Sequence, residues 1–146
     1  MEYPKAYLYR RVVQAKLFID EHFREKINLE DIAEEASFSR YHFIRLFRLA
    51  YSNTPHQYLV SRRLREAEML MTNPAMKIQD ICMEIGFESV GSFTTLFTKM
   101  YGKSPKAFQK ELLERRRVTK EQPLRTVPNC FADNNGWKSN FQEEHI

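Results

Sequence analysis

Three arginines are concentrated in one short segment of the chain, at Arg40, Arg45 and Arg48. No acidic residue lies within residues 40–50, whereas four lie within residues 30–35. A guanidinium is permanently charged and presents five N–H donors, which suits it to phosphates and other anions. The segment is therefore a candidate contact surface for an anionic partner, and a net charge of +4 with a pI near 9.1 points the same way.

The sequence shows no pattern that predicts catalysis. No nucleophile paired with a base, glycine-rich phosphate loop or carboxylate pair stands out. His42 lacks His or Cys partners at ligand spacing, so a phosphate contact or a structural hydrogen bond is favoured over a metal role. Cys82 and Cys130 are too few for a disulfide framework, and the apolar helix position of Cys82 predicts a buried free thiol. We expect no enzyme, no cofactor and no metal site.

The arginine segment has the spacing of an amphipathic helix that Ser39 caps. The apolar positions that share its inner face are Phe43, Leu46, Phe47 and Ala50. The positions left on the other side are Arg40, Tyr41, Ile44, Arg45 and Arg48. A core-facing stripe would therefore hold the arginines toward solvent.

A short helix precedes this one. Asn28 can cap it, and Glu30 and Asp31 suit its positive first turn. Its apolar face consists of Leu29, Ile32, Ala33 and Ala36. Phe38 would pack the tight connection, so the two helices together form a helix-turn-helix pattern.

This pattern occurs twice in the chain. Five pairs of similar residues, from Leu29/Ile78 to Phe38/Phe87, are separated by 49 positions, and six more, from Phe43/Phe93 to Tyr58/Phe108, by 50. One residue is inserted in the second copy, between Phe87 and Phe93. So many ordered matches indicate a duplication, and two copies predict a two-lobed unit rather than a solenoid.

The second copy predicts the same elements. The apolar positions of its first helix are Ile78, Ile81, Cys82 and Ile85, and Gly86 suits a left-handed stop. The inner face of its second helix consists of Phe93, Leu96, Phe97 and Met100. The phenylalanines of both copies could serve as base-stacking platforms, but their core spacing favours burial.

Residues 55–71 predict a stiff helix between the two copies. Thr54, Pro55 and Gln57 form a capping-box sequence, and Asn73-Pro74 ends the helix. The apolar stripe consists of Val60, Leu64, Ala67 and Met71. Arg62, Arg63 and Arg65 fall mostly outside the stripe and could simply solvate the helix.

The rest of the chain completes an all-α prediction, because glycines are few and no useful β alternation occurs. Residues 1–4 are expected to be a disordered lead, and a helix over Lys5–Glu25 to brace the first copy. A last helix is expected from Pro105 through Leu112 or Leu113. The run Arg115–Arg117 with Lys120 is either a solvated helix end or a phosphate-contacting extension, and beyond residue 118 an irregular tail is expected.

These patterns divide the chain into four parts. Residues 5–54 form the first subdomain, 55–73 the linking helix and 74–113 the second subdomain, while 114–146 form a basic segment and irregular tail. No N-terminal signal and no long apolar span occurs, so a soluble cytoplasmic protein is expected.

Residues 78–108, IQDICMEIGFESVGSFTTLFTKMYGKSPKAF, resemble the signature of the AraC/XylS family of bacterial transcription regulators. Upstream, SFSRYHFIRLF at residues 37–47 and PHQYL at 55–59 fit the same family's DNA-binding domain, and the match runs from about residue 8 to 113. The resemblance implies seven helices, with two helix-turn-helix subdomains joined by a long central helix. It also implies that both recognition helices enter successive major grooves on one face of DNA, and that the protein is an activator that contacts RNA polymerase.

The resemblance also implies which residues contact DNA. The family's base-contacting positions fall on Arg40, Tyr41, Ile44 and Arg45, with Arg48 beside them, and in the second recognition helix on Val90, Gly91, Thr94 and Thr95. Arg45 is the foremost candidate, because a guanidinium can bind guanine O6 and N7 together. Thr95 stands where an arginine is common, so the second subdomain is expected to dock through phosphate contacts or DNA shape. The position of Arg63 is habitually basic in the family, as a polar anchor or as a DNA contact.

We therefore expect a sequence-specific DNA-binding transcription regulator that reads DNA mainly through its first recognition helix, as a monomer on DNA and associated with the nucleoid. The alternative is a helical protein-interaction adaptor or anti-regulator that has lost DNA binding. Few residues precede the first helix, so we expect a stand-alone regulator or else a fragment of a larger one.

Overall fold

The computed structural model describes residues 3–35, 39–128 and 134. Every regular element in these ranges is helical, which confirms the all-α class. The α-helices are α1 (Tyr3–His22), α2 (Leu29–Glu35), α3 (Arg40–Tyr51), α4 (Pro55–Leu70), α5 (Ile78–Glu84), α6 (Val90–Tyr101) and α7 (Pro105–Glu121), followed by a short 3-10 helix (Pro123–Thr126). None of the helices in the described ranges has the length and apolar character needed to cross a membrane.

The helix bounds repeat with the offsets of the sequence. Helix α5 begins and ends 49 positions after α2, and α6 begins and ends 50 positions after α3. The connection before α6 is therefore one residue longer than the connection before α3, as the predicted insertion requires. Ser39 and Ser89 cap α3 and α6 in the same way, each through a side-chain oxygen that accepts a backbone N–H three residues later.

Helix α4 belongs to both halves of the molecule. Its capping box is formed as predicted: Thr54 Oγ1 accepts from the N–H of Gln57 at 3.2 Å, and Gln57 Oε1 accepts from the N–H of Thr54 at 3.0 Å. Leu59, near its start, is buried with residues of α1, α2 and α3. Leu64 and Ala67, further along, are buried with residues of α5 and α6. The helix therefore carries a separate core at each end.

We call these halves the first lobe (α1, α2, α3 and the start of α4) and the second lobe (the end of α4, α5, α6 and α7). The first core is formed by Val12, Ala15, Ile19, Phe23, Ile32, Ala33, Phe43, Leu46, Phe47 and Leu59. The second is formed by Leu64, Ala67, Met71, Ile81, Cys82, Ile85, Phe93 and Phe97. Phe43, Phe47, Phe93 and Phe97 are fully buried, which confirms core packing rather than exposed stacking platforms. Cys82 is a buried free thiol, as predicted, and burial raises its pKa.

Several boundary predictions are wrong. Helix α1 begins at Tyr3, so residues 3 and 4 are not part of a lead, because a proline in the first turn lacks only an N–H that would have no helical partner. Helix α7 continues through residue 113 to Glu121, stabilised by ion pairs of Arg117 with Glu114 and Glu121, each at 2.7 Å. The predicted domain limits at residues 5 and 113 therefore fall inside helices, and residues 119–121, which were predicted to begin the irregular tail, are helical.

Two core predictions are also wrong. Ala50 and Met100 are exposed, Met100 to 43 %. Both occupy the last turn of their helix, just before the left-handed residues Ser52 and Gly102, where the apolar stripe extends past the buried cluster. Ala36, Phe38, Cys130 and most of the predicted tail lie outside the described residues.

Arg63 on α4 joins the two lobes. Its Nε donates to the carbonyl of Phe23 at 2.6 Å, and its Nη2 donates to the carbonyl of Glu25 at 2.9 Å. Both carbonyls lie in the turn that follows α1, and burial of the guanidinium lowers the pKa of Arg63. The structure thus places Arg63 as the polar anchor that was one of its two predicted roles.

Residues of α4 and α5 also contact the turn that follows α1. Arg24 pairs with Glu66 on α4 and with Glu84 on α5, the latter at 3.5 Å. Gly86 lies so close to the turn that a Cβ there would be 2.6 Å from the carbonyl oxygen of Arg24. We call Arg24, Arg63, Glu66, Glu84 and Gly86 the inter-lobe clamp. It fixes the first lobe against the second, and with it the positions of α3 and α6.

Gly86→Ala should destabilise the protein more than Gly102→Ala. Both glycines have positive φ, +85° and +76°, so alanine costs about 1 to 2 kcal/mol at either position. Only at Gly86 does the added Cβ also collide with backbone, whereas nothing lies within 4 Å of it at Gly102. Urea unfolding of the two variants measures the difference. Equal losses of stability would contradict the close approach of the lobes.

Arg63→Lys should lower the free energy of unfolding by about 1.5 to 3 kcal/mol, because one ammonium cannot replace both charged hydrogen bonds to the turn. Arg65→Lys is the matched control, since Arg65 is an exposed arginine of the same helix and its replacement should change stability by less than about 0.5 kcal/mol. Thermal unfolding compares them. A stability of Arg63→Lys equal to that of the control would rule out the anchoring role.

Candidate nucleic-acid interface

The outer face of α3 carries the candidate residues of the first lobe. Ser39 Oγ accepts from the backbone N–H of His42 at 3.3 Å and so fixes the start of the helix. Phe43, Leu46 and Phe47 point into the first core. With that face buried, Tyr41 is 78 % exposed and Arg40, Arg45 and Arg48 are also exposed. The structure therefore presents these four side chains to solvent, as the helical spacing predicts.

Arg40 is not an independent charge. Its Nη1 lies 2.7 Å from Glu30 Oε1 on α2, and both side chains are exposed. Such a surface pair contributes little to stability, but it places a carboxylate beside the start of α3. The helical spacing of α3 carried no sign of this partner, because Glu30 belongs to another helix.

Arg45 and Arg48 differ from Arg40. Among the described residues, neither side chain makes a hydrogen bond or an ion pair, and no acidic residue occurs in α3. Within the part of the chain that the structure describes, no acidic side chain pairs with these two charges.

Ile44 is only half-exposed. It lines a shallow cleft between α3 and the start of α4, together with Leu29, Phe43, Pro55 and His56. An apolar contact from Ile44 can therefore use only part of its side chain.

The outer face of α6 carries the candidate residues of the second lobe. Val90 is 41 % exposed, Gly91 and Thr95 are exposed, and Thr94 is half-buried. Thr95 Oγ1 donates to the carbonyl of Gly91 at 3.0 Å. None of the four positions carries a charge, so this face differs in chemistry from the face of α3.

The basic run in α7 is largely paired within its own helix and with the α4–α5 turn. Arg117 binds Glu114 and Glu121, Arg115 lies 4.0 Å from Glu111, and Arg116 Nη1 donates to the carbonyl of Thr72 at 3.3 Å. Of the two predicted roles, these contacts favour the solvated helix end. Within residues 3–35 and 39–128, no three His, Cys, Asp or Glu side chains come together where they could hold a metal ion.

The chain contains two helix-turn-helix motifs, whose second helices are α3 and α6. This arrangement is typical of DNA-binding domains that use the second helix of each motif for recognition. Comparison with known proteins narrows the class: a family model described as a helix-turn-helix domain matches residues 32–111, more than half of the chain. The chain belongs to the AraC/XylS family of DNA-binding transcription regulators, as its sequence pattern predicts. This is a family of regulators and not a family of enzymes.

Individual relatives agree with this assignment. The HTH-type transcriptional regulator YbfP of Bacillus subtilis is 35% identical over 102 residues, 69% of this chain and 35% of that protein. Regulatory protein SoxS of Escherichia coli is 26% identical over 105 residues, 71% of this chain and 98% of SoxS. The chain spans about a third of the length of the first curated relatives that it matches.

Solved structures share the fold. The DNA-binding domain of the transcriptional factor AdpA, crystallised with a target DNA, superposes with a TM-score of 0.65 at 24% identity, covering 77% of this chain and 96% of that domain. At this identity the likeness concerns the fold alone.

Proposed function

We propose that this chain binds double-stranded DNA at specific sequences and regulates transcription, with α3 as its principal recognition helix. The observation that carries the proposal is the outer face of α3, where Arg45 and Arg48 are exposed and make no side-chain ion pair among the described residues. A helix with a buried apolar face and an uncompensated basic outer face suits the major groove.

Each residue of α3 has a distinct proposed role. Arg45 binds a guanine through O6 and N7, which supplies base discrimination. Arg48, one turn further along, contacts a phosphate and positions the helix. Tyr41 adds a hydroxyl and an aromatic ring near the start of α3, and Ile44 offers the exposed part of its side chain to a thymine methyl. Arg40 joins these contacts once it exchanges Glu30 for DNA.

Helix α6 has the lesser role, since Val90, Gly91, Thr94 and Thr95 provide no charged donor. The two helix-turn-helix subdomains, joined by α4, place their recognition helices in successive major grooves on one side of the duplex. The 16 residues of α4 extend about 24 Å, and the width of the lobes brings the separation near the roughly 34 Å of one DNA turn. One chain would thus serve as a monomer on DNA.

The regulatory output follows the family resemblance. We propose that the chain activates transcription through a contact with RNA polymerase while it is bound to the nucleoid. The functional unit for DNA binding comprises the first subdomain (5–54), the linking helix (55–73) and the second subdomain (74–113), extended to the ends of α1 and α7.

Selection of sites from random DNA, followed by binding titrations across salt concentrations, tests DNA binding. The observed association constant should fall steeply with salt, with a log–log slope of about −0.9 per phosphate neutralised. A protein-interaction adaptor would select no sequence and would show little salt-dependent retention on DNA. That result would refute the proposal and favour the alternative function.

Arg45→Ala should weaken binding to the selected site by roughly fivefold to 140-fold, because a bidentate guanine contact contributes about 1 to 3 kcal/mol of discrimination. Its melting temperature should match that of the parent, since the side chain is exposed. Thr95→Ala is the matched variant on α6 and should cost much less. A loss for Thr95→Ala as large as that for Arg45→Ala would contradict the unequal roles of α3 and α6.

Glu30→Gln should strengthen DNA binding by roughly fivefold. The substitution removes a carboxylate whose repulsion of a nearby phosphate costs about 1 kcal/mol, and it frees Arg40 from its ion pair. Glu114→Gln, which removes the same charge from α7, is the control. Equal effects of the two variants would show that only net charge matters and that the Arg40–Glu30 pair does not.

A further inference from the structure

We infer that the recognition surface of α6 selects thymine through the 5-methyl group of the base, at the half-site that the second lobe covers. This inference rests on the proposed DNA binding and replaces the expectation that α6 docks only through phosphates or DNA shape. It follows from what the hydroxyl groups of α6 already bind, and from what they leave exposed.

The hydroxyl groups of Thr95 and Thr98 are bound to the backbone of α6 itself. Thr95 Oγ1 donates to the carbonyl of Gly91 at 3.0 Å, and Thr98 Oγ1 donates to the carbonyl of Thr94 at 2.7 Å. At the start of the helix, Ser89 Oγ accepts from the backbone N–H of Ser92 at 3.1 Å and shares a hydrogen bond of 3.0 Å with Ser92 Oγ. Threonine hydroxyls in a helix commonly bind the carbonyl four residues earlier. The hydroxyl protons of Thr95 and Thr98 are then not available to a base edge.

At Val90 and Thr95, the exposed groups are methyls. Val90 is 41 % exposed and ends in two methyls, and the exposed Thr95 retains its Cγ2 methyl once its hydroxyl is bound to the backbone. Between them, Gly91 has no side chain, and a Cβ at this position would have no neighbour within 4 Å. Val90, Gly91 and Thr95 therefore form an apolar notch on an otherwise uncharged face.

Such a notch matches one feature of the major groove. Thymine presents a 5-methyl group there, cytosine presents only a hydrogen at the same carbon, and the purines present acceptors and donors. The methyls of valine and threonine can contact the thymine methyl and remove it from water, a gain of about fourfold in affinity per methyl group. No arginine or lysine of α6 competes for a guanine at these positions, since Lys99 lies in the last turn.

The test replaces thymine by deoxyuridine, which removes the methyl and keeps every hydrogen-bonding group. The half-site of the first lobe is identified as the one whose base preference is lost in Arg45→Ala. In the other half-site, deoxyuridine should weaken binding by about fourfold at each contacted thymine. A 5-methylcytosine·guanine pair there should bind more tightly than cytosine·guanine. Deoxyuridine without effect in that half-site would overturn the inference.

Variants of the protein locate the contact. Thr95→Ser keeps the hydroxyl and removes the methyl, so the discrimination between thymine and deoxyuridine should largely disappear at one position. Val90→Ala should reduce it at a second. Thr119→Ser is the control, because Thr119 is an exposed threonine of α7 whose hydroxyl also binds the carbonyl four residues earlier. Full discrimination in the Thr95→Ser, Val90→Ala double variant would overturn the inference.

Different results would refute DNA binding and the thymine-methyl contact. If no selected DNA is bound in a salt-dependent manner, the proposed function fails, and the methyl contact fails with it. If DNA is bound and Arg45→Ala weakens binding, but deoxyuridine is tolerated in both half-sites, only the methyl contact is refuted.

Discussion

The arrangement of the whole molecule depends on the hydrogen bonds of Arg63 to the turn after α1. A backbone carbonyl at the end of a helix has no intrahelical donor, and a planar guanidinium can serve two such acceptors at once. Arg63 lies in the middle of α4, between the two cores. Its hydrogen bonds therefore hold the turn of the first lobe against the helix that continues into the second lobe. Gly86 allows the turn to approach from the other side, where any larger residue would collide with the carbonyl of Arg24. These contacts determine the distance between the two recognition helices, α3 and α6.

The lobes share a framework and differ in surface chemistry. Duplication fixed the lengths of α2 and α5, the lengths of α3 and α6, and their serine caps. The buried phenylalanines are equivalent in the two copies, while the outer positions have diverged to arginine in α3 and to threonine, glycine and valine in α6. A core tolerates little change because its packing is dense, whereas exposed positions are free to acquire new contacts. We infer that the two surfaces recognise different features of DNA.

The parts of the structure that depend on local rules were predictable from the sequence. The capping box of α4, the left-handed Gly86 and the burial of Phe43 and Phe93 follow from residue types at fixed spacing. The duplication reinforced the prediction for the two phenylalanines. The family resemblance supplied the function, and its candidate positions on α3 lie on the exposed side of the helix. Their contacts with bases remain predictions.

Contacts between distant residues could not be predicted in this way. Glu30 on α2 pairs with Arg40 on α3, and Arg63 binds carbonyls some 40 residues earlier in the chain. No periodic pattern indicates either contact. The end of α7 was misplaced for a different reason: the prediction stopped at the last apolar residue, whereas local pairs of Arg117 with Glu114 and Glu121 accompany the helix as far as Glu121. Ala50 and Met100 satisfied the apolar spacing but lie where the core ends.

We predict that the inter-lobe clamp holds α3 and α6 at one fixed separation, so that a single chain engages two half-sites together. Insertion of base pairs between the half-sites of a selected DNA tests this most directly, with affinity measured for each spacing. We predict that about five inserted base pairs, half a helical turn, weaken binding at least about tenfold, because the second lobe then faces the wrong side of the duplex. An affinity that is unchanged across spacings would show that the lobes bind independently and would contradict a fixed separation of α3 and α6.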